Sequence, residues 1–213
     1  MIPTAPPYLF LKGNVHLLNE KSVSVVGSRN ASMESIEKTE KLVKALVKRN
    51  IVVNAGLAKG IDTITHQIAL KNNGRTIAVI GTPINHYYPK ENKDLQLAIE
   101  KHGLVISQFP PCNKVYKWNF PTRNATMSGI SIATIIMEAG ERSGALRQAD
   151  HCIKQGKDIL IPHSLLYCSL LWPRKYIQKG AHTFKNLKEV LELINKSDIL
   201  YKEGQLTFYT SSL

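Results

Sequence analysis

Six short runs rich in Val and Ile, separated by longer amphipathic stretches, restrict this chain to a small group of folds. The runs are SVSVV (22–26), IVVN (51–54), TIAVI (76–80), LVIS (104–107), IATIIM (132–137) and DILIP (158–162). Runs of this length and composition are typical of strands that are buried on both faces of a sheet. Strands that alternate with helices are joined by right-handed crossovers, which produce a parallel sheet. The sequence therefore predicts an α/β fold, with a doubly wound, mostly parallel sheet and helices on both faces.

The stretches between the runs have the periodicity of helices. Helices are predicted over 33–49, 61–73, 92–102 and 143–156, with a last helix in NLKEVLELI (186–194). Ser32 is a suitable N-cap for the first of them. The chain divides into an extended lead-in (1–21) with a short strand in YLFLKGN, a main domain (22–185) and a C-terminal helix and tail (186–213). Within the main domain, the part after 161 is expected to be irregular with one short helix.

Charge and cysteine content narrow the class of protein. Lys and Arg total 28 against 16 Asp and Glu, and the net charge of +12 favours a polyanionic partner such as nucleic acid. Cys112, Cys152 and Cys168 are widely spaced without a CxxC pair, which predicts reduced thiols and a cytoplasmic location. We expect no signal peptide, no membrane span and no metal site, because the sequence has neither the apolar runs nor the paired histidines that these require.

The loop GSRN (27–30) follows the first run directly. Ligands of open parallel sheets bind at the carboxyl ends of the strands, so this loop is a candidate site. Gly27 permits a tight turn, Ser28 supplies a hydroxyl and Arg29 a guanidinium beside the amides of a helix start, which together suit a phosphate. The loop lacks the glycines of GxGxxG, and no acidic residue ends the next run, so we predict no NAD and no other cofactor. The alternative is a plain strand-to-helix turn with a surface arginine.

Two further loops have related features. In NAGLAKGID (54–62), Gly56 and Gly60 permit close backbone approach and Lys59 supplies charge. Asp62 is a candidate helix cap. Asp62 and His66, four residues apart, would form either an acid–base pair or, as we favour, a cap and a buried, hydrogen-bonded histidine. The loop GTPINHYYPKEN (81–92) contributes two tyrosines and Lys90.

The segment KVYKWNFPTRN (114–124) interleaves aromatic and basic residues. If 114–120 is extended, Tyr116, Trp118 and Phe120 share one face because side chains alternate along a strand. Lys114, Lys117 and Arg123 would surround these rings. Bases stack on rings while cations follow the phosphates in single-strand binding sites, so the pattern favours such a platform. The alternative is that these rings pack against the edge of the sheet.

The loop EAGERSGALRQA (138–149) places Gly140, Ser143 and Gly144 before a helix, which is another start favourable to anions. Since all of these loops follow predicted strands, they are expected at one edge of the sheet. Together they predict a continuous basic groove that is longer than a mononucleotide needs.

Six ordered blocks of the sequence resemble the DprA/Smf family of DNA-processing proteins. They are YLFLKGNVHLLNEKSVSVVGSRNAS, NAGLAKGIDTITHQIAL, GRTIAVIGTPINHYYPKEN, GLVISQFPP, FPTRNATMSGIS and EAGERSGALRQA, within residues 8–182. The resemblance implies an extended Rossmann-like core that binds single-stranded DNA without marked sequence preference. It also implies a homodimer that helps load the RecA recombinase during natural transformation. Many members carry further domains at both ends, for which we expect no room in this chain.

The resemblance also implies roles for individual residues. Arg29 would contact a phosphate, Lys90 matches the basic position of the YPK loop, and Phe120 would stack on or bracket a base. The implied DNA-binding set is Gly27, Ser28, Arg29, Gly56, Lys59, Gly60, Lys90, Lys117, Phe120, Arg123, Asn124, Ser143 and Gly144. Ala125 stands where members commonly have a second arginine, and Arg147 is a candidate to compensate. Lys59 replaces an arginine and so loses the guanidinium fork.

Two other classes of protein remain as alternatives. Phosphoribohydrolases of the LOG type share a related core, and the Glu of their PGGxGTxxE loop works at the ribose. Here Gln148 and Ala149 stand where that carboxylate is expected, which leaves Glu138 and Glu141 as substitutes. The second alternative is a nucleotide-sensing domain with a small ligand in the same groove. The excess positive charge and the aromatic segment favour a DNA-binding protein that is not an enzyme.

Overall fold

A computed structural model describes residues 5–203 of the chain, with side chains described for residues 5–198. The described residues form one eight-stranded sheet in the order β1-β5-β4-β3-β2-β6-β7-β8. The strands are β1 (Phe10–Gly13), β2 (Ser22–Val26), β3 (Val52–Ala55), β4 (Thr76–Ile80), β5 (Leu104–Ser107), β6 (Ala133–Ile136), β7 (Asp158–Pro162) and β8 (His182–Phe184). Every pairing is parallel except that of β1 with β5. The predicted α/β sheet and all six predicted strands are confirmed.

The helices predicted over 33–49, 61–73, 92–102 and 143–156 are confirmed with small changes at their ends, whereas the predicted last helix continues nine residues past 194 and the helix over 119–129 was not predicted. The helices are α1 (Met33–Val47), α2 (Ile61–Lys71), α3 (Lys93–His102), α4 (Asn119–Gly129), α5 (Gly144–Lys154), α6 (Trp172–Gln178) and α7 (Leu187–Glu203). The first two end earlier than predicted because Asn50 and Asn73 adopt positive φ angles of 57° and 54°, which reverse the chain after each helix. Ser32 caps α1 as predicted, since its Oγ accepts the amide of Ser35 at 3.2 Å.

Two layers of apolar side chains lie on opposite faces of the sheet. On one face, Leu42 and Leu46 of α1 pack in a buried cluster with residues of α2 and α7. On the other, Met127 of α4 and Ala149 of α5 belong to a buried cluster that includes residues of α6. Strand residues alternate between these layers because successive side chains point to opposite faces. The fold is therefore doubly wound, and the carboxyl ends of its parallel strands lie along one edge of the sheet.

The two ends of the described chain add to the sheet. The predicted strand in YLFLKGN is confirmed as β1, which pairs Phe10 with Ser107 of β5. The stretch expected to be irregular holds the expected short helix, α6, and also β8, which is too short to show an alternating pattern. The predicted C-terminal tail lies in part beyond the described residues, and the division of the chain at 21 and 185 stays a prediction. No helix among the described residues is both long and apolar enough for a membrane span.

One expected element is wrong. Residues 114–120 do not form an extended segment, because the chain already turns before α4. The amide of Asn119 donates to the Tyr116 carbonyl at 3.1 Å, and the amide of Thr122 donates to that of Trp118 at 3.2 Å. Pro121 lies in the first turn of α4, where its missing N–H costs no helical hydrogen bond.

Candidate functional site

A large cleft lies where the strand order reverses. The central strand β2 has β3 on one side and β6 on the other, and the chain winds outward in both directions from it. Open α/β sheets bind ligands in the crevice that such a reversal creates at the carboxyl edge. The cleft has a volume of about 790 Å³ and is lined by loops that follow β2, β3, β4 and β6 and by side chains of α4 and α5. We call it the switch-point cleft.

The loop after β2 forms one wall of the switch-point cleft. Gly27, Ser28 and Arg29 all line it, and Arg29 is exposed. The Ser28 carbonyl accepts the amide of Ile61 at 3.2 Å, which joins this loop to the start of α2. Gly60 makes the junction possible, since its φ is 76° and a Cβ there would overlap the Ser28 carbonyl oxygen. The predicted turn is thus fixed by backbone contacts while its guanidinium faces solvent.

A buried arginine forms part of the floor of the cleft. Arg123, expected beside exposed rings, is only 5% exposed, and its guanidinium donates to the Val79 carbonyl and, at 3.1 Å, to Asn124 Oδ1. It packs flat against Gly56, where any Cβ would overlap it. Burial lowers the pKa of Arg123 to about 10, although the nearby Asp62 carboxyl opposes the shift. The guanidinium therefore stays charged at neutral pH.

Asp62 is the one carboxylate among the described residues that line the cleft. Its Oδ2 accepts the amides of Gly56 at 3.0 Å and Ala58 at 3.3 Å. Burial raises the pKa of Asp62 to about 6, against the opposing charge of Arg123. The prediction that Asp62 caps α2 is wrong, since it lies inside the first turn and binds amides of the preceding loop.

His66 is buried away from the cleft and is hydrogen-bonded to a residue other than Asp62. It is fully buried, and its Nδ1 lies 2.7 Å from Thr76 Oγ1. Burial lowers the pKa of His66 to about 3, so the imidazole is neutral. The predicted buried, hydrogen-bonded histidine is confirmed, and an acid–base pair with Asp62 is not favoured.

Aromatic side chains form the second wall. Phe120 is partly buried against Gly81, and its ring centroid lies 5.3 Å from that of Tyr88, which is 51% exposed. Both rings and Lys117 line the cleft. Tyr116 and Trp118 do not. The predicted three-ring face is therefore wrong, because the helical turn at the start of α4 separates Phe120 from the other two rings.

The loop after β6 forms the third wall. Ser143 caps α5 through its Oγ, which accepts the amide of Ala145 at 3.2 Å. Asn124 reaches across from α4, and its Nδ2 donates to the Gly144 carbonyl at 3.2 Å. Arg142 and Arg147 are exposed on the same wall. The sequence reasoning missed Arg142, although its place between the predicted Gly140 and Ser143 was a signal.

Four of the predicted residues lie away from the cleft lining. Gly56 and Gly60 support it from beneath through the contacts described above. Lys59 is exposed and pairs with Glu91 at 2.7 Å. Lys90 is exposed in a short 3-10 helix, Lys90–Asn92. The roles of these residues in DNA binding stay predictions.

The two glutamates considered for a hydrolase are held by structural hydrogen bonds. Glu138 Oε2 accepts the amide and hydroxyl of Ser32 at 3.0 and 2.7 Å. Burial opposes its ionisation, but hydrogen bonds from Ser35 and Ser32 outweigh burial and lower its pKa. Glu141 Oε1 accepts the amides of Leu171 at 2.5 Å and Trp172 at 3.2 Å. Both carboxylates therefore connect loops, and no group of metal-binding side chains occurs among the described residues.

This combination of features defines a class of protein, a Rossmann-like α/β domain with a basic, ring-lined cleft at its switch point. The family described as "DNA recombination-mediator protein A" matches residues 1–195 of the sequence. The chain therefore belongs to that family, and the resemblance seen in its sequence blocks is confirmed.

Individual relatives agree with this assignment. The chain is 41% identical over 188 residues to the DNA processing protein DprA of Streptococcus pneumoniae, and 34% identical over 200 residues to that of Bacillus subtilis. These alignments cover 88% and 93% of this chain but only 66% and 67% of the two relatives, so about a third of each relative lies outside the match.

A solved structure resembles the chain along nearly its whole length. It is that of DNA processing protein A from Helicobacter pylori, for which a single-stranded DNA binding mode has been described. The TM-score is 0.81 at 25% identity, and the match covers 94% of this chain and 92% of the other. The solved homologue therefore confirms the extended Rossmann-like fold.

Proposed function

We propose that this chain binds single-stranded DNA in the switch-point cleft, without preference for base sequence. The observation that carries the proposal is the arrangement of the lining. Four exposed cations, Arg29, Lys117, Arg142 and Arg147, surround the paired rings of Tyr88 and Phe120. Cations that follow phosphates, together with rings that stack on bases, are the common basis of single-strand binding without sequence recognition.

The walls of the cleft give each group a distinct part in this binding. Arg29 and the amides of its loop would hold one phosphate, and the cations of the third wall would hold another. Phe120 would offer its ring to a base, since it is only partly buried and is backed by Tyr88. Asn124 and Arg123 would keep the floor in shape rather than reach the strand, because both are buried.

The relatives support the proposal. The Helicobacter protein binds single-stranded DNA, and its match covers nearly all of both chains. Membership of a family of recombination mediators favours a role in recombination and DNA uptake. A homodimer and the loading of RecA onto DNA belong to the same proposal, as does a cytoplasmic location, which the three free cysteines favour.

The cleft would bind the strand without catalysing a reaction. A ribohydrolase needs a carboxylate at the sugar, and the two candidate glutamates hold loops together. Gln148, at the position where that carboxylate is expected, is a buried amide. Asp62 remains in the lining, but its oxygen is engaged by two backbone amides.

One pair of assays tests the proposal. A labelled oligonucleotide is titrated with the protein while free base released from nucleoside monophosphates is measured in parallel. We expect saturable binding that is stronger for single strands than for duplexes, because stacking needs exposed base faces, and no released base. Turnover without affinity for oligonucleotides would reverse the conclusion.

A further inference from the structure

Tyr116 and Trp118 form an exposed ring pair outside the lining of the switch-point cleft. Their ring centroids are 4.3 Å apart and their planes differ by 8°, so the two rings are stacked. Trp118 is 63% exposed and Tyr116 is 43% exposed. Trp is highly buried on average in folded proteins, so an indole this exposed is a candidate for binding. We call these two side chains the outer ring pair.

The outer ring pair is attached to a rigid element. The Tyr116 carbonyl accepts the amide of Asn119, which is itself buried. The Trp118 carbonyl accepts both the amide of Thr122 at 3.2 Å and its hydroxyl at 2.8 Å. The pair thus continues from the first turn of α4, the helix that places Phe120 in the cleft. Rings held in this way lose little conformational freedom when a ligand stacks on them.

Charge around the outer ring pair favours a polyanion. Lys117 lies between the two rings in the sequence and lines the cleft, and the exposed Lys114 precedes them. No acidic residue occurs in the sequence between Glu100 and Glu138. A second copy of this chain would bring like charges together at this surface, which opposes self-association there. The phosphates of a nucleic acid are complementary to it.

We propose that the outer ring pair is a second stacking site, which binds a base of the unpaired strand where that strand leaves the cleft. The inference rests on the proposed function, because it needs a strand in the cleft. It adds the direction of the strand's path, from Phe120 past Lys117 to the exposed face of Trp118. It also predicts that affinity depends on strand length in a way that the cleft alone does not produce.

A length series of oligothymidylates tests the second site. Anisotropy titrations of wild type, Trp118→Ala and Trp118→Phe use strands from about 4 to about 16 nucleotides, the range of known single-strand sites. The shortest strands should bind wild type and Trp118→Ala alike. Longer strands should bind Trp118→Ala roughly tenfold more weakly, which is the loss of one stacked base, while Trp118→Phe should retain most of the affinity.

Tryptophan fluorescence gives an independent readout. The chain has two tryptophans, and Trp172 is 2% exposed with its indole N–H donating to the Ala139 carbonyl at 2.7 Å. No base can stack on Trp172, so any quenching by DNA reports on Trp118. We expect long strands to quench the wild type and short strands to leave its fluorescence unchanged. Quenching by the shortest strands would overturn the proposed path.

A matched control and the remaining outcomes separate this inference from the proposed function. Tyr167 is 81% exposed but follows β7, four positions in the sheet from β4, the strand over which Phe120 and Arg123 of α4 lie, or roughly 19 Å at the usual strand spacing. Tyr167→Ala should bind strands of every length as wild type does. A loss of affinity equal to that of Trp118→Ala would overturn the inference.

If Trp118→Ala matches wild type at every length, the outer ring pair is not a binding site, while the proposal for the cleft survives. A change in the oligomeric state of Trp118→Ala without DNA, at unchanged affinity, would assign the pair to a protein interface instead. A wild type that binds no strand at all removes both proposals.

Discussion

Arg123 and Asp62 place opposite charges at the floor of a cleft whose rim is positive. Burial disfavours the charged form of Asp62 and raises its pKa to about 6. At neutral pH it is ionised beside Arg123, so it offsets the buried positive charge without facing the rim. Removing either of these two buried charges is costly, because the other is then left uncompensated.

The raised pKa of Asp62 predicts a specific pH dependence of stability. The unfolded carboxyl has a pKa of about 3.9, so between about pH 4 and about pH 6 the folded protein holds a proton that the unfolded chain releases. The free energy of unfolding should therefore fall as pH rises through this window. Asp62→Asn removes this contribution, and its stability relative to wild type should rise over the same range in urea titrations. Asp94→Asn, on the exposed surface of α3, is the control. A parallel pH dependence of wild type and Asp62→Asn would contradict the prediction.

Arg29 lines the cleft with an exposed guanidinium, which the proposed function assigns to a phosphate. Arg29→Ala should weaken binding of all oligonucleotide sequences alike and reduce the salt slope by about 0.7 for each lost phosphate contact. Anisotropy titrations over a range of salt concentrations measure both quantities. Arg49→Ala removes the same side chain from the turn after α1, at the other edge of the sheet, and should change neither. An unchanged slope in Arg29→Ala would remove Arg29 from the site.

At the scale of elements, the junction of α1 with β6 supports the first and third walls together. Ser32 caps α1, and its hydroxyl also donates to Glu138 in the loop after β6. Ser32→Ala should lower the free energy of unfolding by about 1 kcal/mol, the usual loss for a cap. Urea unfolding measures this, with Met33→Ala as the control, since Met33 is 72% exposed and its substitution should cost less than about 0.5 kcal/mol. Equal stability of the two variants would show that Ser32 is not a stabilising cap.

The strands could be predicted from the sequence more fully than the helices. The six strands β2 to β7 were predictable because burial on both faces requires continuous apolar runs, which stand out from amphipathic helices. Helix α4 was not predicted, since Pro121 and the alternating rings before it resemble an extended segment. Only the hydrogen bonds from Asn119 and Thr122 close the helical turn.

The site was predictable to a similar degree. The loops after the strands could be placed together because parallel strands present their carboxyl ends at one edge. The burial of Arg123 could not, since it depends on Gly56 of another loop and on the Val79 carbonyl. A pattern along one segment does not contain contacts between segments that lie far apart in the sequence.

For the whole molecule, the question is whether its net charge of +12 or the local arrangement of the cleft governs DNA binding. Lys117→Glu and Lys71→Glu each lower that net charge by two. Lys117 lines the cleft, whereas the exposed Lys71 ends α2, a helix of 11 residues that starts at the cleft. That length places Lys71 about 15 Å away along the helix axis, which is about twice the screening length at physiological salt.

Screening therefore separates the two explanations. At about 0.15 M salt, Lys117→Glu should weaken binding of single strands by roughly fivefold or more, the effect of replacing one attractive contact by a repulsive one. Lys71→Glu should bind as wild type does. At about 0.01 M salt the screening length grows to about 30 Å, so Lys71→Glu should then weaken binding as well, and the gap between the variants should narrow. Equal losses in both variants at physiological salt would mean that total charge, rather than the cleft, attracts the strand.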